Sequence, residues 1–421
     1  MRGRMVVAVL VGLAVTAVEG FVPTRRQTPT SFAGSNEYFL HALSASEQKT
    51  YIETLAGWGA KVMRLWGEQS PDDAGHNNTM SIYNRNLLPG LHAYLHKQTG
   101  GKSEFDANDR CIVTNIDEGC LKGSTITNSM PPLEISVGVF DTTVLAALDA
   151  TLKLLHDNGM KAIISPHNAN SLTGGVACDA YCQKYTDASI FYSSTEAKAD
   201  YDKRLEEILN YQSPNFGEAW KSLDQVIMAF DLQNEPLIKQ LDKLNNNDPD
   251  DWLCGRAGVM RNALGSSNIK VATGGIGGSH YCCDHEFNTL EKAMQCDAID
   301  IISMHGYMSK ASDWAYYITG DKEVLSGARA AGKNIIMEEW GVSTDFQDSF
   351  GTQAQIFNNA GVPWLYWQFV PGLDGSEPGA PTGCGYDGFE IGLNSPKGDA
   401  AGAIAAANAA PAAQSWANYL R

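Results

Sequence analysis

Basic side chains are scarce in this chain of 421 residues. Lys and Arg number 31 against 48 Asp and Glu, so the formal net charge is −17 at pH 7. Contact with nucleic-acid phosphates needs a basic surface, and this composition does not supply one. The same deficit disfavours an anionic membrane surface as a partner. We therefore expect no nucleic-acid partner, whereas a neutral substrate is compatible with the charge.

Long apolar runs and internal repeats are also lacking. After residue 20 no stretch is apolar enough to span a bilayer, and no repeat of fixed period occurs. Residues 5–18 form an apolar run without charge that follows Arg2 and Arg4. This order is typical of a secretory signal peptide cleaved after Ala17 or Gly20, with an uncleaved signal anchor as the alternative. We expect a secreted, monomeric protein that leaves the membrane after cleavage.

Cysteine, by contrast, is well represented, which fits an oxidising compartment. The odd total of nine leaves at least one cysteine unpaired in a monomer. Close spacing predicts local bridges Cys111–Cys120 and Cys178–Cys182. A zinc site at Cys282, Cys283 and His285 is disfavoured, because secretion favours disulfides and no paired CxxC motifs occur, so we expect no metal and no cofactor. The nine positions are Cys111, Cys120, Cys178, Cys182, Cys254, Cys282, Cys283, Cys296 and Cys384.

Short apolar runs alternate with amphipathic stretches along the chain. Helices are predicted at 44–60, 144–158, 195–209 and 322–331, the first opened by a Ser44 to Glu47 cap. The runs are continuous, as expected for strands that are buried on both faces, and eight of them predict a (β/α)8 TIM barrel. The predicted strands are residues 31–40, 61–66, 160–166, 226–231, 270–273, 299–303, 334–337 and 362–369.

Residues 67–140 exceed an ordinary loop and predict a long insertion after strand two. The insertion carries the N-glycosylation sequon at Asn77 and either walls a cleft or forms a decorative lobe. We divide the chain into a signal peptide at 1–20, a catalytic barrel at 21–397 and an Ala-rich last helix or tail at 398–421.

Barrel enzymes place their catalytic groups at the C-terminal ends of strands. Among the residues at those ends are two carboxylates on different strands, together with an Arg, two His, a Tyr and several Trp. Glycosidases need one carboxyl to protonate the leaving oxygen and another to attack or to activate water, and aromatic rings stack on sugars. The strand-end residues are Asn36, Arg64, Trp66, His167, Asn234, Glu235, His305, Tyr307, Glu339, Trp340, Trp367 and Gln368.

The motifs resemble those of glycoside hydrolase family 5, in the family's order along residues 31–370. Asn234-Glu235-Pro236 is similar to the strand-four motif and Glu339-Trp340-Gly341 to the strand-seven motif. His305-Gly306-Tyr307 matches the His-x-Tyr of strand six. Arg64 and Trp367 match the Arg of strand two and the Trp of strand eight.

The resemblance implies a retaining enzyme with Glu235 as acid/base and Glu339 as nucleophile. Asn234 would then bind the sugar 2-hydroxyl. Arg64 would bind Glu339 and keep it ionised, since a nearby cation lowers the pKa of a carboxyl group. Tyr307 would also contact the nucleophile.

The remaining site residues implied by the resemblance are His305 and His167, which would line the site, and Trp367, which would floor the −1 subsite. Trp66 is a further candidate substrate contact. A structural hydrogen-bonding role for His167 and a core-packing role for Trp66 are open alternatives. Trp340 and Trp364 fit packing as well as sugar contact.

Glu338 competes with Glu339 for the role of nucleophile. Neighbouring strand residues face opposite ways, so we expect only one of the two carboxyls to point into the cleft. The family pattern favours Glu339.

Residues 34–40 and 64–66 look most like the endo-β-1,4-mannanase branch of the family, so the expected substrate is a β-linked polysaccharide or oligosaccharide. Leu237 departs from the Arg that this branch usually carries after Asn-Glu-Pro. Endo-β-1,4-glucanase or another β-glucanase is the alternative activity. An inactive carbohydrate-binding barrel is the alternative from another class.

Overall fold

Eight parallel strands form a closed barrel in which each strand pairs with its neighbours in the sequence and the last pairs with the first. The computed structural model describes residues 30–67, 83–84, 104–105, 110–112, 130–174, 177–278, 287–343, 346–371, 389, 391–393 and 399–420. The predicted (β/α)8 barrel is confirmed. Its strands are β1 Ala33–Asn36, β2 Val62–Trp66, β3 Lys161–Ser165, β4 Ile227–Asp231, β5 Lys270–Ala272, β6 Ile301–Gly306, β7 Asn334–Trp340 and β8 Trp364–Tyr366.

Helices follow the strands and pack around the barrel. The first is opened by a capping box in which Ser44 and Glu47 each bond the other's backbone, as predicted. Within the described ranges, no helix has the length and apolar character needed to cross a membrane. The main helices are α1 Ala45–Trp58, α2 Thr143–Asp157, α3 Thr195–Asn210, α4 Trp252–Leu264, α5 Ala311–Ile318, α6 Val324–Ala330, α7 Phe350–Ala360 and α8 Ala400–Ala409.

Shorter elements fill the connections between strands and helices. Single-turn and two-turn helices are Asn170–Thr173, Ala180–Tyr185, Ala188–Ser193, Leu241–Asn245 and Glu291–Gln295, and the 3-10 turns are Leu40–Ala42, Trp220–Ser222 and Ile276–Gly278. Outside the barrel, Glu134–Ser136 pairs with Val139–Phe140, Phe369–Val370 pairs with Ile391–Gly392, and Tyr83–Asn84, Glu104–Phe105 and Arg110–Ile112 form one small sheet.

Two disulfides join described residues. Cys178–Cys182 is the predicted local bridge, with an S–S distance of 2.02 Å. Cys254–Cys296 links α4 to the segment before β6 across 42 residues, a pairing that spacing alone could not reveal. The signal peptide, the Asn77 sequon, the Cys111–Cys120 bridge and the zinc site considered at residues 282–285 lie outside the described residues or side chains.

The side chains inside the barrel form layers along its axis. At the N-terminal end, apolar residues from the strands pack against Trp416 of the C-terminal segment. Above them lies a polar layer of five buried residues, and above that the C-terminal rim. The apolar layer includes Val62, Ile163, Ala229, Ile301 and Ile336. The polar layer consists of Arg64, Ser165, Asp231, Ser303 and Glu338.

Candidate active site

Glu235, His305 and Glu339 meet at the C-terminal rim of the barrel. One carboxylate oxygen from each glutamate and one ring nitrogen of His305 lie within 4.8 Å of one another. The glutamates are almost fully enclosed, with relative exposures of 8% for Glu235 and 5% for Glu339, and His305 is fully buried. Parallel strands end at the same rim, so residues far apart in sequence come together there.

Glu339 is held by hydrogen bonds from two sides. Arg64 Nη1 donates to Glu339 Oε2 at 3.0 Å, as the family resemblance implied. Tyr307 Oη donates to Glu339 Oε1 at 2.8 Å. The other terminal nitrogen of Arg64 donates to Asn234 Oδ1 at 2.7 Å. Arg64 therefore connects the nucleophile candidate to the residue that precedes the acid/base candidate.

Glu235 is fixed through its backbone and its carboxyl group. Its backbone adopts a left-handed conformation, with φ 53°, just past the end of β4. Its N–H donates to the carbonyl oxygen of Gly274 at 2.7 Å, and Asn170 Nδ2 donates to Oε2 at 2.7 Å. His305 Nδ1 lies 3.3 Å from Oε1. Asn170 is a site residue that the strand-end rule missed, because it lies in a short helix.

Two glycines after β5 leave space for these side chains. A Cβ on Gly275 would lie 2.2 Å from the His305 ring, and a Cβ on Gly278 would lie 2.7 Å from the Glu235 carboxyl carbon. Both glycines also have positive φ. The Gly-rich segment 274–278 was a sequence signal for close approach to the site that the motif analysis did not use.

Glu338 and Glu339 both face the barrel interior, so the alternation expected of neighbouring strand residues fails here, although only Glu339 reaches the rim. The pairing of β7 with β6 passes from Met337 to Glu339 while β6 advances by one residue, from Met304 to His305. Glu338 is therefore the extra residue of a β-bulge, which interrupts the alternation of side chains. Its carboxyl lies in the polar layer, whereas Glu339 lies at the rim.

The polar layer beneath the rim was not predicted. Arg64 Nε donates to Asp231 Oδ2 at 2.9 Å, and Ser165 Oγ also donates to that oxygen. Ser303 Oγ donates to Glu338 Oε1 at 2.9 Å, and His305 Nε2 lies 3.2 Å from Glu338 Oε2. The signal was present in the sequence, since Asp231, Ser165 and Ser303 occupy inward positions two residues after an apolar layer residue.

The charges of the site raise the pKa of His305 to about 9. Burial by itself would lower this pKa, but the charge of Glu339 and hydrogen bonds to Glu235 and Glu338 outweigh burial. His305 is therefore protonated at neutral pH, and both ring nitrogens donate hydrogen bonds to carboxylates.

The pKa values of the two rim carboxyls are shifted in opposite directions. Burial raises the pKa of Glu339 above its usual range, reinforced by the charge of Glu235 and opposed by His305 and Arg64. Burial acts on Glu235 as well, but the hydrogen bond and charge of His305 outweigh it and lower the pKa of Glu235. Arg64 does lower the pKa of Glu339, as expected, but burial outweighs it, and the charge of Arg64 is shared with Asp231 and Glu338.

His167 does not line the site. Its Nε2 lies 2.6 Å from Asp179 Oδ2 and its Nδ1 lies 2.7 Å from Gln233 Nε2. Its ring stacks on Phe191 and is fully buried. Its carbonyl oxygen accepts a hydrogen bond from the Asn234 N–H at 2.7 Å. His167 therefore supports the backbone of a site residue, in line with the structural hydrogen-bonding role given above as the alternative.

Trp66 is also buried, with 1% exposure, and is not an open sugar platform. Its ring lies against Trp367 with centroids 5.4 Å apart, and the Arg64 guanidinium carbon lies 4.5 Å from its centroid. Trp367 is partly exposed, as its predicted position at the floor of the −1 subsite requires. Trp340 and Trp364 are fully buried in the outer core.

Glu235, His305 and Glu339 are close enough to enclose a metal ion. His305 would first have to lose the proton of Nδ1 and with it the hydrogen bond to Glu235, because a metal ligand must offer a lone pair. Arg64 and protonated His305 already supply positive charge to the carboxyls. The residues therefore fit a hydrogen-bonded carboxyl pair better than a metal centre.

The closed parallel barrel with two facing carboxyls at its C-terminal rim defines the class of (β/α)8-barrel glycoside hydrolases. Residues 108–359 match the family model described as GH family 5 beta-mannosidase-like. The chain belongs to glycoside hydrolase family 5. The matched range contains both Glu235 and Glu339.

Two relatives from Solanum lycopersicum, mannan endo-1,4-beta-mannosidases 5 and 2, are each 25% identical to the chain over 222 residues. The match covers 52% of this chain and 51% of each relative, so the chain spans about half the length of these relatives.

Solved structures show the same fold. An endo-1,4-beta-D-mannanase from Thermotoga petrophila RKU-1 has a TM-score of 0.57 at 17% identity, covering 90% of this chain and 98% of that one. An endo-1,4-beta-mannanase from Rhizomucor miehei has a TM-score of 0.56 at 16% identity, covering 91% and 95%.

Proposed function

We propose that this protein is a retaining endo-β-1,4-mannanase. The observation that carries the proposal is the approach of Glu235 and Glu339 carboxylate oxygens to within 4.8 Å. Retaining glycosidases hold their carboxyls about 5 to 5.5 Å apart, whereas inverting enzymes need about 6.5 to 9.5 Å to admit a water molecule. The family match and the mannan-hydrolysing relatives support mannan as substrate.

In the first step Glu339 attacks the anomeric carbon while Glu235 protonates the leaving glycosidic oxygen. Tyr307 and Arg64 orient Glu339 by their hydrogen bonds. In the second step Glu235, now ionised, removes a proton from water. The resulting nucleophile displaces Glu339 from the sugar, and the two inversions give net retention.

Catalysis needs a proton on Glu235 and a charge on Glu339. In the free protein the pKa of Glu235 is lowered and that of Glu339 is raised, which favours the opposite arrangement. A bound sugar favours the reversal for two reasons. It excludes water from Glu235, which disfavours the charged form, and its hydroxyl groups donate hydrogen bonds to Glu339, which favour the charged form. The close approach of the two carboxyls lets them share one proton during this change.

A hydrolysis panel tests the proposal. Mannan, cellulose, mixed-linkage glucan, laminarin and pustulan are offered to the purified protein and to Glu339→Gln, and the products are sized. We expect internal cleavage of mannan by the wild type alone, with β-configured product in early NMR spectra. Preferential cleavage of cellulose would assign a glucanase instead. Inactivity on every polymer, or α-configured product, would contradict the proposal.

We also infer that the protein is secreted. The apolar run at 5–18 and the two disulfides support this, because disulfides persist in oxidising compartments. Expression of the full chain in a eukaryotic host should deliver protein to the medium, with a new N-terminus after Ala17 or Gly20. Retention of the intact N-terminus on cell membranes would instead indicate a signal anchor.

A further inference from the structure

We propose that Asp231 is a positioning residue, which orients the Arg64 guanidinium and thereby the hydrogen bond that Arg64 donates to Glu339. The inference rests on the proposed function, in which Glu339 acts as the nucleophile. Asp231 belongs to none of the strand-end motifs, and it lies one layer below the rim.

The contacts of Arg64 define how it is oriented. Its Nε donates to Asp231 at 2.9 Å, its Nη1 to Glu339 at 3.0 Å and its Nη2 to Asn234 at 2.7 Å. A guanidinium is planar, so fixing the Nε edge fixes the directions of the other donors. Ser165 donates to the same Asp231 oxygen and accepts from Arg64 Nη2 at 3.0 Å. Asp231 and Ser165 thus hold Arg64 from below, and neither contacts the rim carboxyls.

Asp231 belongs to a cluster of charged groups around Glu339. The described groups facing Glu339 are Arg64 from β2, Glu235 after β4, His305 from β6, Tyr307 just after β6 and Glu338 beside it on β7. With Asp231, the cluster holds four carboxyls and two cations. All of these groups are nearly or fully buried except Tyr307, which is partly buried.

Two of the four carboxyls are therefore balanced by cations and two are not. Arg64 and His305 lower the pKa of Glu338, against the effect of burial. Burial, followed by the charge of Glu338, raises the pKa of Asp231 to about 7. Glu339 also has a raised pKa. Because a neutral carboxyl or amide oxygen can still accept a hydrogen bond from Arg64 Nε, the orienting role of Asp231 does not require its charge.

Asp231→Asn and Asp231→Ala test this as a pair, because the amide oxygen of Asn can still accept from Arg64 Nε whereas Ala cannot. We expect the kcat of Asp231→Asn to stay within about threefold of the wild type, and the kcat of Asp231→Ala, which loses the orienting contact, to fall about 100-fold with KM within about twofold of the wild type.

Asp149→Asn is the matched control. Asp149 is fully buried on α2, outside the barrel, where it accepts hydrogen bonds from Ser213, Asn215 and Trp220. This variant should lose stability but keep the wild-type kcat. Equal losses of kcat in Asp149→Asn and Asp231→Ala would indicate a general effect of a damaged core and would overturn the inference.

A wild-type kcat in Asp231→Ala, or a loss in Asp231→Asn as large as in Asp231→Ala, would also overturn it. If Asp231→Ala fails to fold, Ser165→Ala replaces it, since Ser165 bonds both Asp231 and Arg64 Nη2. A smaller loss of kcat with unchanged KM is then expected, and no loss counts against the inference. Inactivity of the wild type on all polymers would contradict the proposed function, whereas 15N NMR of the Arg64 Nε–H needs no substrate and reads the inference separately, because its hydrogen bond should persist in Asp231→Asn and be lost in Asp231→Ala.

Discussion

At the scale of the residue, Glu338 and Glu339 have the same chemistry and differ in the partners of their carboxyl groups. Glu339 receives hydrogen bonds from Tyr307 and Arg64 at the rim. Glu338 receives them from Ser303 and His305 and is fully buried below. Accessibility to a sugar, and not acidity alone, therefore separates the candidate nucleophile from a supporting carboxylate.

Replacing Glu339 by Ala should lower kcat by at least about 10³-fold, because the covalent intermediate cannot form. Azide should restore part of the activity by attacking from the vacated side, and the glycosyl azide should have the opposite configuration. Glu235→Ala should differ, since an aryl glycoside with a good leaving group needs no proton in the first step. A burst of aryl alcohol followed by slow turnover is the expected signature; equal loss of both steps would contradict the assignment.

Glu338→Gln should keep much more activity than Glu339→Gln. The amide oxygen can still accept from His305 Nε2 while the amide N–H donates to the Ser303 hydroxyl, so we expect a loss of about tenfold against at least about 10³-fold for Glu339→Gln. The comparison is made by kcat/KM on one mannan substrate. An inactive Glu338→Gln beside an active Glu339→Gln would mean that the roles of the two residues are exchanged.

At the scale of the element, α1 begins at a capping box. The first N–H groups of a helix have no backbone acceptor, and here side chains supply one. Ser44 Oγ accepts from the Glu47 N–H, and Glu47 Oε2 accepts from the Ser44 N–H at 3.1 Å. The helix ends at Gly59, whose φ of 94° suits a residue without a side chain. Both ends of this helix are encoded locally, which is why the predicted range 44–60 closely matches Ala45–Trp58.

Ser44→Ala should lower the free energy of unfolding by about 1 kcal/mol, because the N-terminal N–H groups of α1 lose an acceptor. Chemical denaturation with intrinsic fluorescence measures the change. Glu53→Ala is the control on the same helix, since its ion pair with Lys49 is exposed and 3.7 Å long. This control should stay within about 0.5 kcal/mol of the wild type. Equal effects of both substitutions would argue against the cap.

At the scale of the whole molecule, the barrel is closed at one end and functional at the other. The segment after α8 folds under the N-terminal ends of the strands, where Trp416 contacts Phe32 with ring centroids 5.3 Å apart. Gln414 Oε1 accepts from the Ile335 N–H at 2.9 Å at the start of β7. The Ala-rich end is thus a helix followed by a packed segment that covers the barrel bottom.

Trp416→Ala should destabilise the protein by about 3 to 5 kcal/mol, because a fully buried aromatic ring is lost. The kcat of the folded fraction should stay within twofold of the wild type, since Trp416 lies at the end opposite the candidate site. Asn418→Ala, at a neighbouring exposed position, should change neither quantity. Thermal unfolding and mannan hydrolysis on the same samples give both readouts. Loss of kcat without loss of stability would contradict the separation of the two ends.

The sequence by itself determined the barrel, the ends of α1, the Cys178–Cys182 bridge and the rim residues Glu235, His305 and Glu339. Each depends on local information: apolar runs, a capping box, short spacing, or polar residues directly after a strand. The predicted ends of β6 and β7 were too early, at Ser303 and Met337, because polar residues were taken to mark strand ends. In the structure those strands continue to Gly306 and Trp340.

Only the tertiary structure decided which way the side chains face and how charge is divided among them. A one-residue bulge in β7 turns both Glu338 and Glu339 inward, and no local pattern announces it. His167 ends behind the site because Asp179 and Gln233 engage both of its ring nitrogens. Ionisation depends on distances between groups on different strands, which the linear order does not contain. How strongly the Arg64 charge lowers the pKa of each carboxyl group therefore depends on the folded barrel alone.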